Sequence, residues 1–323
     1  MIRFLGLGIA GALALPLSMS AAVGADWPSK SVRIVVPFAA GGAADVMGRI
    51  FAVPLSAAFG QQFFVENRPG GGGIPGTEAV ARADPDGYTL MISGISFHVI
   101  APAMNKNASF DPVQDFTHIA HFGGTPVVLA VHPSLGANNF REFSALVASR
   151  KAGVEYVSAG FGSIANMVAE SFAAKAGLDL RHIPYKGGGS AIFDLVAGHL
   201  KVGFLTLSTM GEHIRLGRII PIAVTTAKRL PDFPEIPTFE ELGYEGLVLT
   251  SWLGLSGPAN LPKHVVDLLN REVNASMTLP EVRGNLAKQG IVTRQMTSEE
   301  FTEFVRSEVE KWTPVARALA PGK

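Results

Sequence analysis

Residues 32–45 read Val32-Arg33-Ile34-Val35-Val36-Pro37-Phe38-Ala39-Ala40-Gly41-Gly42-Ala43-Ala44-Asp45. The stretch 32–38 is an apolar run of the kind a buried parallel strand shows. Gly41-Gly42 turn the chain, and Val46, Met47, Ile50, Phe51, Leu55 and Phe59 then recur on one helical stripe. Pro54 lies inside that stripe and is expected to kink or break the helix, because it has no N–H to donate and its ring crowds the preceding turn. Working outward, the same strand–turn–helix unit repeats. Strands are expected at 62–65, 88–92, 127–131, 154–157, 180–183, 202–207 and 219–224, and helices at 140–150, 164–176, 190–197 and 210–216. Such alternation builds an α/β fold with helices on both faces of the sheet. After Pro258 the pattern changes to three successive helices, 263–276, 281–289 and 298–319. Breaks at 123–126 (Gly-Gly-Thr-Pro) and 250–258 read as crossovers between two lobes. One lobe would hold 26–124 with 251–323, the other 125–250.

The chain has 323 residues, 47% of them apolar and 17% charged, which is enough to bury two substantial cores. Lys+Arg and Asp+Glu both count 27, so no broad field exists for nucleic acid or an anionic membrane. Cys is absent, which excludes thiol catalysis, disulfides, iron–sulfur clusters and Cys-type zinc sites. Residues 1–25 carry Arg3, an apolar stretch from Phe4 to Leu17, and small residues ending at Ala25. That is the pattern of a secretory signal, with cleavage after Ala25 or Ala22. The apolar run is short for a membrane span.

Two loops carry the expected chemistry. In the first, the helix that begins after Gly41-Gly42 points free amides at whatever fills the crevice, a site suited to a carboxylate or phosphate; an ordinary tight turn is the plain alternative. In the second, Ser158-Ala159-Gly160-Phe161-Gly162-Ser163 again joins a strand to a helix, with Ser163 a good N-cap. Gly160-Phe161-Gly162-Ser163-Ile164-Ala165 also fits a loose dinucleotide fingerprint. That reading needs an acidic residue at the end of the next strand, which instead runs Ile183-Pro184-Tyr185-Lys186. A third glycine cluster, Tyr185-Lys186-Gly187-Gly188-Gly189-Ser190, offers another anion loop or a plain turn, and Gly188 and Gly189 read as the turn. No GxSxG or HExxH motif occurs, and the eight His are scattered. His118 and His121 sit three apart on a strand and are expected on opposite faces. No catalytic residue, metal or cofactor is expected.

Several motifs then line up in order: Trp27-Pro28; Val36-Pro37-Phe38 with Gly41-Gly42 and Asp45; Val65-Glu66-Asn67-Arg68-Pro69-Gly70; Pro85-Asp86-Gly87-Tyr88-Thr89-Leu90; Phe110-Asp111-Pro112 with Asp115-Phe116; and His182-Ile183-Pro184-Tyr185-Lys186-Gly187. In this order and spacing the chain resembles the Bug-type (TctC-like) extracytoplasmic solute-binding proteins of tripartite tricarboxylate transporters, over nearly its whole length past the signal. The resemblance implies a periplasmic-binding-protein fold of two α/β lobes joined by two crossovers, the type II or Venus-flytrap arrangement. It implies a monomeric periplasmic receptor that has no enzymatic activity, binds no nucleic acid, and hands a small carboxylate to membrane permease subunits. It also implies that backbone amides and waters, rather than an Arg, hold the ligand. The expected ligand contacts are Phe38, Ala39, Gly41, Gly42 and Asp45 on the first loop, with Ser93. On the second they are Ala159, Gly160, Gly162, Ser163 and Asn166, and beyond it Lys186 and Leu205. Ala44, Asn166 and Leu205 depart from the family pattern, which favours Thr or Ser, His and Asp at those places. Without an acid at Leu205 an amino group has no obvious partner, so a plain mono-, di- or aromatic carboxylate is expected over an amino acid. The competing readings are a secreted nucleotide- or phosphate-dependent enzyme and a ligand sensor for a signalling protein.

Overall fold

A computed structural model describes residues 27–288 and 290–319. The expected signal segment lies outside the described residues. The elements run β1 (Val32–Val36), α1 (Ala43–Phe59), β2 (Phe63–Asn67), α2 (Ile74–Ala81), β3 (Thr89–Gly94), α3 (Ala101–Met104), β4 (Phe116–Val131), α4 (Phe140–Ser149) and β5 (Val154–Ser158). There follow α5 (Ile164–Ala176), β6 (Leu180–Pro184), α6 (Gly188–Val196), β7 (Val202–Thr206), α7 (Leu207–Arg215), β8 (Ile220–Val224), β9 (Thr250–Pro258), α8 (Lys263–Ser276), α9 (Pro280–Lys288) and α10 (Ser298–Ala318). The strand order is β2-β1-β3-β9-β4-β7-β5-β6, with β8 also on β4. β1 is parallel to β2 and β3, and β5 is parallel to β6 and β7. Between these two parallel sets, β9 and β4 run antiparallel to their neighbours.

The two segments read as crossovers, 123–126 and 250–258, lie within strands β4 and β9. β4 is 16 residues long; its first part pairs with β9 as far as Pro126↔Thr250, and from Val127 it pairs with β7 and β8. Pro126 stands where the partner changes, a place where a missing N–H does not break a continuous ladder. The long strand thus belongs to both halves of the sheet.

Each half has its own core. In the first, the stripe Met47, Phe51 and Leu55 of α1 packs on Ile34, Ile92 and Leu255, and Phe51 stacks on Phe122 with ring centres 4.1 Å apart. Pro54 does not end α1, which continues to Phe59 and stops at left-handed Gly60. Pro54 lies on the partly exposed side, next to exposed Val53, where a missing helix bond does not open the core. In the second half, Tyr156, Val168, Phe172 and Phe204 fill one face of the sheet, and Val128, Leu195, Met210 and Ile214 fill the other. α10 begins with a capping box of Thr297 and Glu300. Its residues Phe301, Val305, Trp312 and Ala316 are buried against β4, α3 and α8.

The register of β4 slips twice, between His118 and Ala120 and between His121 and Gly123. These bulges bring both His118 and His121 against Phe301, overturning the expectation of opposite faces. His98 and His118 both reach the Pro112 carbonyl oxygen, at 2.8 and 3.2 Å. Burial disfavours the charged imidazolium of each and pushes His98 down to about 4 and His118 to about 3.

Candidate functional site

The carboxyl ends of β1, β3, β5 and β7 converge, as do the starts of α1, α5, α6 and α7. In open α/β sheets this is where the backbone leaves the ladder with unpaired amides and where ligands bind. The convergence encloses a cavity of about 40 Å³. Phe38, Gly42, Ala43 and Ala44 line it from the first turn, Gly94, Ile95, Ser96 and Phe97 from the second, and Ala159, Ser163, Ile164 and Ala165 from the third. Gly188, Leu205, Thr206 and Thr209 close it from the second half, and Ser251 and Leu253 of β9 form its floor. No ionised side chain is among these residues. Polar groups come from the hydroxyls of Ser96, Ser163, Thr206, Thr209 and Ser251, and from the helix starts.

The first turn is held from behind. The Asp45 carboxylate accepts the Gly41 N–H at 2.9 Å, the Arg49 guanidinium at 3.0–3.1 Å and the Asn67 amide at 3.0 Å. Burial alone would raise this carboxyl, but those donors outweigh it and hold Asp45 below its ordinary value. Asn67 also donates to the Phe38 carbonyl. Asp45 is thus a brace for the loop and does not face the cavity. Left-handed Gly41 (φ 80°) lets the amide reach that brace. Among the described residues the amides of Gly42, Ala43 and Ala44 make no hydrogen bond, and these three residues line the cavity.

The turn at 158–163 differs from its expected role. Gly160 N–H donates to Ser158 Oγ, Gly162 N–H to Asn166 Oδ1, and Ser163 N–H to the Gly160 carbonyl. Ile164 N–H donates across to Ser96 Oγ at 3.0 Å, and Asn166 N–H to its cap Ser163. Three of the four amides in the expected cradle at 160–163 are therefore already bonded within the protein. What remains on this turn is the Phe161 amide and, facing the cavity, the Ser163 side, the Ala165 amide and the field of the α5 N-terminus. The same bonds fill the loop that matched the dinucleotide fingerprint.

The two halves touch around this cavity. Ala39 N–H donates to the Lys186 carbonyl at 3.2 Å. A Cβ added to Gly189 would lie 2.5 Å from the Ala40 carbonyl oxygen and 3.0 Å from the Gly42 nitrogen, so the start of α6 packs backbone to backbone on the first turn.

Of the residues expected from sequence, Phe38, Gly42, Ala159, Ser163 and Leu205 come together around the cavity. Ala39, Gly41, Asp45, Gly162 and Asn166 stand outside its lining and support the loops. Ser93 is also outside: its Oγ accepts from Ser256 within the core. Gly160 and Lys186 line a second, outer chamber, which shares the wall of Phe38 and Ala159 with the cavity. Sequence reading missed the Gly94–Ser96 turn and the hydroxyls of Thr206 and Thr209, which lie 3.1 Å apart. Both sit where an expected strand gives way to a helical turn, the signal that identified the other two loops.

The receptor model described as the tripartite tricarboxylate transporter family receptor matches residues 47–320. The chain belongs to this family. Protein BugT of Bordetella pertussis is 31% identical over 313 residues, which covers 96% of either chain. The solved structure of the periplasmic binding protein BugD is 30% identical, covers 90% of this chain and 98% of its own, and superposes with a TM-score of 0.85. The structure of R. palustris Rpa4515 with adipate is 30% identical, with 90% and 98% covered and a TM-score of 0.86. The fold is thus that of the periplasmic binding proteins of this receptor family.

Proposed function

We propose that this receptor captures a small carboxylate between its two halves in the periplasm and delivers it to the membrane permease of a tripartite tricarboxylate-type transporter. One observation carries the reading. The cavity has no ionised side chain, yet it gathers the starts of four helices and the unbonded amides of Gly42, Ala43 and Ala44. Aligned peptide dipoles favour an anion there, and no carboxylate on the lining repels it or competes for those dipoles. That the relative Rpa4515 was solved with adipate supports the same ligand class. Leu205 on the wall favours an acid without an amino group.

The two halves would act as lobes, 26–124 with 251–323 and 125–250, hinged where β4 and β9 pass between them. The protein would act as an exported monomer, after loss of residues 1–25, and without turnover of its ligand. The test is a thermal-shift and mass-balance screen against mono-, di- and aromatic carboxylates. A cognate acid raises the melting temperature and is recovered unchanged. Stabilisation by a nucleotide but by no acid would overturn the proposal.

A further inference from the structure

Behind the turn at 158–163 stands His182 of β6. Its Nε2 lies 2.6 Å from Ser158 Oγ. The ring stacks on Tyr156 with centres 5.0 Å apart, and Tyr156 in turn donates to Glu170 at 2.6 Å. Ser158 is fully buried and meets three more groups: Gly160 N–H at 3.1 Å, the Gly160 carbonyl at 3.2 Å and Ser163 Oγ at 3.5 Å. A serine hydroxyl has one proton and two lone pairs, so it cannot serve all four partners at once. The Gly160 N–H takes one lone pair. The remaining lone pair and the proton are allotted by His182. Burial disfavours the charged ring and pushes it down to about 4, so at neutral pH it has one donor nitrogen and one acceptor. Among the described residues no protein group bonds its Nδ1, so the direction is set at Nε2.

If Nε2 accepts, the Ser158 proton goes to the ring and the open lone pair takes the Ser163 hydroxyl. Ser163 then presents only lone pairs to the cavity that it lines. If Nε2 donates, both lone pairs of Ser158 are filled and its proton goes to the Gly160 carbonyl. The Ser163 hydroxyl then has no acceptor behind it. Its oxygen already accepts the Asn166 N–H at 3.2 Å, so its proton turns to the cavity. We infer that His182 is a positioning residue of the site, and that with an acid in the cavity it bonds Ser158 as an Nε2–H donor and so aims the Ser163 hydroxyl at the carboxylate. The inference rests on the carboxylate reading of the cavity. An anion favours this state, because a hydroxyl proton attracts it and an oxygen lone pair repels it. His182 does not itself line the cavity, so it acts through Ser158 and Ser163.

The experiment is calorimetric titration with succinate, adipate, hexanoate and benzoate, read on whichever binds the parent protein most tightly. The proteins are the parent, His182→Leu, His182→Gln, Ser163→Ala and the double variant of His182→Leu with Ser163→Ala. His182→Leu opens a lone pair on Ser158 for the Ser163 hydroxyl, and binding weakens by about fivefold, the effect of one ordinary hydrogen bond. His182→Gln carries an amide N–H at the reach of Nε2 and stays within about twofold of the parent. In the Ser163→Ala background the same leucine substitution costs less than about twofold, because the hydroxyl that His182 aims is gone. An equal loss in both backgrounds, the mark of a merely structural role, would overturn the inference, as would parental affinity in His182→Leu. Imidazole ¹⁵N chemical shifts of the parent with bound acid give a reading that needs no variant to fold. Nε2 is expected to carry the proton there, and a bare Nε2 would overturn the inference while leaving the carboxylate reading standing. Binding of none of the four acids by the parent would overturn that reading as well.

Discussion

Gly189→Ala places a single methyl between the halves. Gly189 has no left-handed φ, and it lies in the first turn of α6, so alanine is accepted by its own backbone. In a helix, alanine is favoured over glycine by about 1 kcal/mol. The obstacle lies wholly on the facing loop: the new Cβ would stand 2.5 Å from Ala40 O, 2.9 Å from Gly41 C and 3.0 Å from Gly42 N, where ordinary contact begins at 3.4 Å. These are backbone atoms braced by Asp45, so the loop cannot give way as a flexible side chain would. The halves must therefore stand off by about 1 Å. That distance strains the Ala39–Lys186 bond at 3.2 Å and the Ile164–Ser96 bond at 3.0 Å. Overpacking of this kind costs about 1–3 kcal/mol. Charged to the closed form alone, this weakens ligand affinity by about 5- to 150-fold. Calorimetric titration with the best acid reads the affinity, and small-angle scattering reads the compaction at saturation. Parental affinity together with parental compaction would refute the reasoning.

Three further outcomes are expected. Gly42 has φ −85° and ψ 170°, which valine adopts freely, so Gly42→Val should fill the cavity and abolish binding while the melting temperature stays within a few degrees; titration with circular dichroism checks both. Ser96→Ala leaves the Ile164 N–H without its acceptor across the cavity, and should weaken binding by about 1 kcal/mol, or roughly fivefold, by titration. Stability should fall as the pH drops from about 6.5 towards 4.5. His98 and His118 are neutral when folded, with values of about 4 and about 3 against an ordinary 6.5, so the unfolded chain binds their protons first. Their contribution is complete above 6.5 and is lost through the window below it, at up to about 1.4 kcal/mol per pH unit for each ring. Glu308, raised by burial despite bonds from Trp252 and Trp312, opposes this in part. Urea midpoints at two pH values across the window measure the net slope, and a midpoint that rises on acidification would contradict the histidine account.

The parts of the fold that were legible in the sequence are those where local pattern and tertiary role agree. The strand–glycine–helix unit at 32–59 and the helices at 263–276 and 298–319 form within two residues of their expected bounds. Continuous strands through 123–126 and 250–258 were not legible, because Gly123, Gly124 and Pro126 carry turn chemistry. Pairing with each other supplies what local propensity lacks there, and the bulges in β4 then move His118 and His121 onto one ring. At the site, the glycine turns marked the right loops but not which amides stay free. That choice is made partly by partners distant in sequence, since Ser96 takes the Ile164 amide and Lys186 that of Ala39, and partly by a local carboxylate, Asp45, which takes that of Gly41. Lys186 and Gly160 were grouped with the inner contacts, because sequence spacing carries no information on the Phe38–Ala159 wall that divides the chambers.

The central claim is that a neutral cavity at converging helix starts recognises a carboxylate by its charge. Calorimetric titration of the protein with each acid that stabilises it, beside the primary amide of the same acid, tests this most directly. The two ligands match in shape and differ in the anion. The account predicts one site per chain for the acid and binding at least about a hundredfold weaker for the amide, in line with the discrimination that buried polar recognition achieves. Equal affinity for acid and amide would contradict it.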